Sequence, residues 1–234
     1  MTEQATALQN KERYHFEDLV AIMKLLRSED GCPWDREQTH QSIRKNLLEE
    51  TYEVAEAIDQ EDSRLLCEEL GDLLLQVVFH AQMEAEAGRF TMDDVSEGIC
   101  RKLIHRHPHI FADVKAESSE QVLANWESIK NLEKQRNDLE QVLRAVPATL
   151  PALMRAQKIV GKAAKRGALT VDSTAAAERI RQAAEEFSSE QRDPKQVVAN
   201  LLFETILLAG ALGVDAEEVL SQKCDTIIYK LTQK

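Results

Sequence analysis

From His15 to Arg27 the apolar residues Phe16, Leu19, Val20, Met23 and Leu26 recur at three- and four-residue intervals, the period of an amphipathic helix. Gly31 and Pro33, in SEDGCPWDREQTH, interrupt that period. Asp35 or Thr39 then offers a cap for the next helix. That helix is expected from roughly Gln41 to Asp59, burying Leu47, Thr51, Val54 and Ile58. The polar link QEDSR is short enough to demand an antiparallel return. A further helix, about Leu65 to Glu86, has a different pattern. Between Leu70 and Ala81 its only ionisable residues are Asp72 and His80, and apolar residues lie all round it. Such a helix is expected to be buried on every side, in the middle of a bundle or at a subunit interface.

Gly88 closes that element, and FTMDDVSEGICRKLIHRHPHIF opens another, with Thr91 or Asp93 as cap and Pro108 as its stop. A helix over about Ser119 to Glu140 follows, its charged part KNLEKQRNDLEQ expected to be solvated. Pro147 and Pro151 break and restart the chain, with Pro151 in the first turn of a new helix. The rest echoes the first half: AAEEFSSE is similar to LLEETYEV, and VVANLLFETILLAGALG to EELGDLLLQVVFHAQM. The expected organisation is a frayed, flexible segment over 1–14, a helical domain over 15–140, a linker over 141–150 and a second, related helical domain over 151–234.

Composition agrees with an all-α fold, a helical bundle in two tandem halves. Of 234 residues 43% are hydrophobic, 30% charged and only 5% aromatic, and Gly and Pro are scarce. No run of alternating β-branched residues reads as a strand. The net charge of −12, with no basic stripe, disfavours nucleic acid as a partner, because phosphate neutralisation needs Lys and Arg. No uninterrupted apolar run approaches the ~18 residues of a membrane helix, the N-terminus lacks signal-peptide character, and Cys32, Cys67, Cys100 and Cys224 show no paired spacing. A cytoplasmic protein with free thiols and no membrane partner is expected.

The chemistry concentrates in carboxylates. Glu50 and Glu53 are three apart on one helix, and Glu69 and Asp72 three apart on the next. Residues so spaced share a face, so two facing helices would aim four carboxylates at one point, on the border of the apolar stripe. Gathered carboxylates repel one another and resist desolvation. A hard divalent cation is the ordinary remedy, Mg²⁺ first, with Mn²⁺ as a substitute. Such a site suits phosphoryl chemistry: a metal pair ~3.5–4 Å apart can activate water and stabilise attacking and leaving oxygens. Glu49, or Glu53 itself, could orient or deprotonate that water, and Lys102, Arg106 and Lys130 could neutralise phosphate oxygens. There is no GxxxxGK[ST] loop, so a phosphate substrate would be held by metal and side chains.

Other metal sites fit these residues less well. A di-iron bundle needs Glu-x-x-His motifs, and the only histidine near Glu69-Leu70-Gly71-Asp72 is His80, two turns on. The histidines of HRHPH suit carbonyl capping or anion binding better than zinc. Trp34, beside Pro33, reads first as a bulky anchor pinning a loop to the core, and second as a ligand-pocket residue.

EETYE (Glu49 to Glu53) followed by EELGD (Glu68 to Asp72) resembles the EExxE, spacer, ExxD signature of the MazG family of nucleoside triphosphate pyrophosphohydrolases. GCPWDREQT, HRHPHIFAD, WESIK and LPALMRAQK are also similar to segments of its two-domain members, and the resemblance covers about residues 15 to 165. It implies Mg²⁺-dependent cleavage of an NTP or dNTP to the monophosphate and pyrophosphate, by a homodimer. Carried over residue by residue, it implies Glu50, Glu53, Glu69 and Asp72 as metal ligands and Glu49 as an auxiliary glutamate. The second half departs from the pattern. Where the first has Glu53, Glu69 and Asp72, it has Ser189, Val197 and Asn200, so activity is expected in the first. The alternatives are a non-catalytic helical dimer that binds nucleotides or a partner protein, and the related phosphoribosyl-ATP or dUTP chemistry.

Overall fold

The computed structural model describes residues 3–112, 118–133, 138–186 and 193–233. Among these residues every regular element is a helix, and the chain divides into two compact units, 1–118 and 119–234.

In the first unit α1 (Glu3–Gln9) occupies part of the segment expected to be frayed, with the Tyr14 hydroxyl donating to Leu8 O at 2.9 Å. α2 (Phe16–Leu26) has the bounds its period predicts, because His15 and Arg27 flank it as caps and Asp18 accepts from the His15 amide at 2.9 Å. The chain turns back sharply after it: the Cys32 amide donates to Leu26 O at 2.7 Å. Gly31 makes that approach possible, since a Cβ there would lie 2.2 Å from Leu26 O.

α3 (Pro33–Glu37) follows, and Trp34 on it is 58% exposed. Trp34 therefore does not pin the loop. Arg27 does: its guanidinium donates to Asp35 O and Gln38 O, pairs with Glu86 at 2.8 Å and stands 5.3 Å from the Phe79 ring centre. Neither Asp35 nor Thr39 caps α4 (Arg44–Asp59). Its N-cap is Ile43, which makes no side-chain cap bond and is buried in the core instead. Thr39 and Ser42 brace the approach through reciprocal amide–hydroxyl bonds of 2.9 and 3.2 Å.

α4 packs along α5 (Ser63–Glu86). Its stripe is shallower than the periodicity predicts: Leu47 and Val54 are half-buried, Thr51 and Ile58 are exposed, and only Ala57 is fully buried. The chief contact of α4 is with one neighbour, α5, so only a narrow line is covered. The link between them is set by Glu61 in the left-handed region (φ 54) and by Asp62, whose carboxylate accepts from the Arg64 and Leu65 amides. α5 also departs from its expected all-round burial. Its buried residues, Gln76, Val78, Phe79, Ala81 and Met83, all lie in its second half, while Leu70 and Leu74 are exposed. Met23, Ile43, Val78, Phe79 and Met83 form the core, with Leu19, Leu26 and Leu75 around them. α6 (Met92–Arg106) starts at the Thr91 cap, closed by Asp94, and α7 (Pro108–Phe111) restarts at Pro108.

The second unit holds α8 (Ser119–Glu133), α9 (Leu139–Arg144), α10 (Ala152–Lys165), α11 (Ser173–Glu186), α12 (Pro194–Leu212) and α13 (Ala216–Thr232). Pro151 is the N-cap of α10. α11 and α12 pair as α4 and α5 do, around Val160, Ala176, Ile206, Leu207 and Ala216. α12 is long and apolar enough to cross a membrane by length and composition, and its Glu204 pairs with Arg179 at 2.7 Å. Val197 is buried, Asn200 is exposed, and Ser189 and Asp113 lie outside the described residues. All four cysteines are free.

Candidate metal centre

α4 and α5 bring carboxylates together because each carries two of them one turn apart on the face turned to the other helix. Oxygens of Glu50, Glu69 and Asp72 all lie within 4.8 Å of one another. Glu50 and Glu69 are half-buried and Asp72 exposed. Glu53 is outside this trio, one turn from Glu50 on α4, and its charge acts on Glu50 and Glu69 alike. Glu49 is exposed on α4.

The electrostatics are those of a site short of positive charge. Desolvation, then the charges of Asp72 and Glu53, pushes the Glu50 carboxyl up from its ordinary value. Desolvation, then Glu53 and Asp72, does the same to Glu69. Among the described residues no Lys or Arg forms an ion pair with any of the four. An all-oxygen donor set under mutual repulsion fits a hard divalent cation better than zinc or iron.

The basic candidates come from elsewhere. Lys102 is exposed on α6, and Arg106, one turn on, is buried. Lys130 belongs to the second unit, its ammonium 4.7 Å from the Trp126 ring centre. In HRHPH the His107 ring nitrogen caps Leu103 O at 2.6 Å, the capping role expected of that run.

One cluster escaped the sequence. His40, from the loop before α4, stacks on His80 of α5 with ring centres 5.0 Å apart, and their Nδ1 atoms are 2.7 Å apart. His40 Nε2 is 2.6 Å from Glu84, which Arg89 also grips. The one available signal was an ionisable residue, His80, in an otherwise apolar stretch.

The molecule is thus an all-α protein whose paired helices α4 and α5 carry a cluster of carboxylates. The family model "MazG nucleotide pyrophosphohydrolase domain" matches residues 38–111, the segment that contains this cluster. The nucleoside triphosphate pyrophosphohydrolase of Escherichia coli K12 is 45% identical over 215 residues, 87% of this chain and 81% of that protein. The nucleoside triphosphate pyrophosphohydrolase/pyrophosphatase MazG of Thermotoga maritima is 42% identical over 208 residues, 88% of this chain and 79% of its own. Uncharacterized protein YabN of Bacillus subtilis is 50% identical over 152 residues, which are 64% of this chain but 31% of that longer protein. The chain belongs to the MazG family.

Proposed function

We propose that the chain is a Mg²⁺-dependent nucleoside triphosphate pyrophosphohydrolase, splitting an NTP or dNTP with one water into the monophosphate and pyrophosphate. The meeting of Glu50, Glu69 and Asp72 carries this reading, and the similarity to the nucleoside triphosphate pyrophosphohydrolases of E. coli and Thermotoga supports it. Glu50, Glu69 and Asp72, with Glu53 beside them, would hold the ion. Mg²⁺ bound there would supply charge neutralisation for the triphosphate and a more acidic water. Glu53 or Glu49 would orient that water and take its proton. Lys102 and Arg106 would meet the phosphate oxygens.

Activity is assigned to the carboxylates of the first unit, within the part of the expected catalytic span 15–140 that ends at 118, and 151–234 is read as a related domain that has lost its ligands. In the second unit Val197 is buried and Asn200 carries no charge. A cytoplasmic homodimer is part of the reading. Leu48, Tyr52, Leu70 and Leu74 are 42%, 61%, 49% and 38% exposed on the helices that carry the carboxylates, apolar surface that a second copy would cover.

The test is a panel of nucleoside triphosphates with Mg²⁺, scored for pyrophosphate against orthophosphate. Pyrophosphate release that disappears in Glu50→Gln and Asp72→Asn, with helical circular dichroism retained, is expected. Tight Mg²⁺–nucleotide binding in calorimetry with no product would favour the non-catalytic dimer instead.

A further inference from the structure

In the network His80, His40, Glu84 and Arg89 one arrangement of protons gives every buried ring N–H an acceptor. Glu84 is doubly held by Arg89, Nη2 to Oε1 at 2.7 Å, and its carboxyl is pushed down to about 2, first by that arginine and then by His40. An ionised carboxylate only accepts, so His40 Nε2 carries the hydrogen that points at it. A neutral His40 then has a bare Nδ1. The 2.7 Å contact with His80 therefore runs from His80 Nδ1–H to His40 Nδ1. A neutral His80 is left with a bare Nε2, and that atom is buried without a partner. The orphan and the short ring–ring contact thus have one cause.

No second proton fits. On His40 Nδ1 it would set two donors against each other, or drive the His80 hydrogen onto the buried Nε2 that has no acceptor. On His80 Nε2 it would bury an unpaired N–H beside a second ring, and desolvation, then His40, holds the His80 imidazole below its ordinary value. Among the described residues the cavity beside the pair is otherwise lined, apart from Glu84, by Leu47 of α4, Val77 and Ala81 of α5, Phe90, and Val95 of α6.

The pair's position gives this consequence. The link Gln60–Asp62 closes the α4–α5 pair covalently at one end. His40 lies just before α4 and His80 late on α5, so their contact closes the other end. Glu50, Glu69 and Asp72 lie between the two closures. We propose that His40 and His80 are a one-proton clasp, a positioning pair that holds α4 against α5 and so sets the spacing of the carboxylate trio, and that a second proton opens it. The effect on the trio rests on the metal reading above; the clasp itself does not.

The test uses the full chain with ¹⁵N-labelled histidine. At pH 7.5 His40 is expected as the Nε2–H tautomer and His80 as Nδ1–H, with His80 gaining a proton only below the ordinary imidazole value of 6.5. Both rings in the same tautomer, each titrating independently near that value, would overturn the clasp. His80→Asn places an amide donor where Nδ1 stands and cannot titrate; His80→Phe keeps the ring and removes the donor. Mn²⁺ binding followed by electron paramagnetic resonance should be preserved at pH 7.5 in His80→Asn. In His80→Phe it should weaken by about fivefold, the loss of one ordinary hydrogen bond. Between pH 7.5 and 5.5 the unmodified chain should lose affinity more steeply than His80→Asn. Equal affinities and equal slopes in all three folded chains would sink the positioning role. If the unmodified chain bound no Mn²⁺, the metal reading would fail, and the two tautomers would still decide for or against the clasp.

Discussion

Gln196 donates its side-chain amide to Asn200 at 2.9 Å across one turn of α12, and Val197 beside it is buried at 5% exposure. The first-half residues aligned with these three are Glu68, Asp72 and Glu69. In the second unit a neutral amide pair and a core valine occupy this turn. Val197→Glu would put a carboxylate into apolar surroundings and is expected to cost about 2–4 kcal/mol. Chemical denaturation of the full chain reads the loss, and Mg²⁺-dependent turnover should not rise.

Glu50 and Glu69 should make the metal-free protein less stable as pH rises. Glu50 and Glu69 have folded-state values raised above the ordinary 4.5. Their protonated forms favour the fold, so that stability is fully present below 4.5 and is lost as pH climbs through the raised values. Thermal melts in a chelator from pH 4.5 to 7 should fall with pH. Glu50→Gln should flatten the fall, and millimolar Mg²⁺ should remove it. Glu84 works in a separate window: its lowered value makes a contribution that is present above 4.5 and lost as pH falls toward about 2.

Gly31 cannot be replaced cheaply. The nearest atoms a Cβ would meet are the backbone oxygens of Leu26 and Leu25, at 2.2 and 2.4 Å, and backbone cannot swing aside as a side chain can. Gly31→Ala is expected to cost about 2 kcal/mol or more. It should also shift the loop that delivers His40, which histidine spectra would register.

The α4–α5 link offers opposite signs at adjacent positions. Asp62→Ala removes the acceptor for two helix-start amides and should cost about 1 kcal/mol. Glu61→Gly relieves a left-handed conformation at φ 54 and should add about 0.5–1 kcal/mol. Equilibrium unfolding of both variants checks the pair.

Lys102→Ala should lower pyrophosphate release by about tenfold or more with unchanged thermal stability, because the side chain is exposed and its assigned role is toward phosphate oxygens. Loss of stability without loss of turnover would remove it from the reaction.

Much of this was legible in the chain itself. The apolar period from Phe16 to Leu26 and its flanking residues define α2, and Thr91 starts α6 as its side chain suggests. The meeting of carboxylates from α4 and α5 follows from two three-residue spacings and a short link. What was illegible depends on neighbours. Periodicity gives the face of a helix but not how many partners cover it, so the exposure of Ile58 and Leu70 was missed. Arg27 anchors three segments, yet one arginine at the end of an apolar pattern has no periodic signature. His40 and His80 are forty residues apart, and no local rule joins them.

The uneven burial of α5 makes that helix a cantilever. Its second half is clamped through Val78, Phe79 and Met83 against Met23 and Ile43, and its first half carries Glu69 and Asp72. Asp72 lies six residues before Val78, about 9 Å along the axis at 1.5 Å per residue. A tilt of about 5° at the clamp would therefore move that carboxylate by about 0.8 Å, enough to disturb a small ion's coordination. The geometry of the acidic site is thus set from its far end, by residues that never touch it.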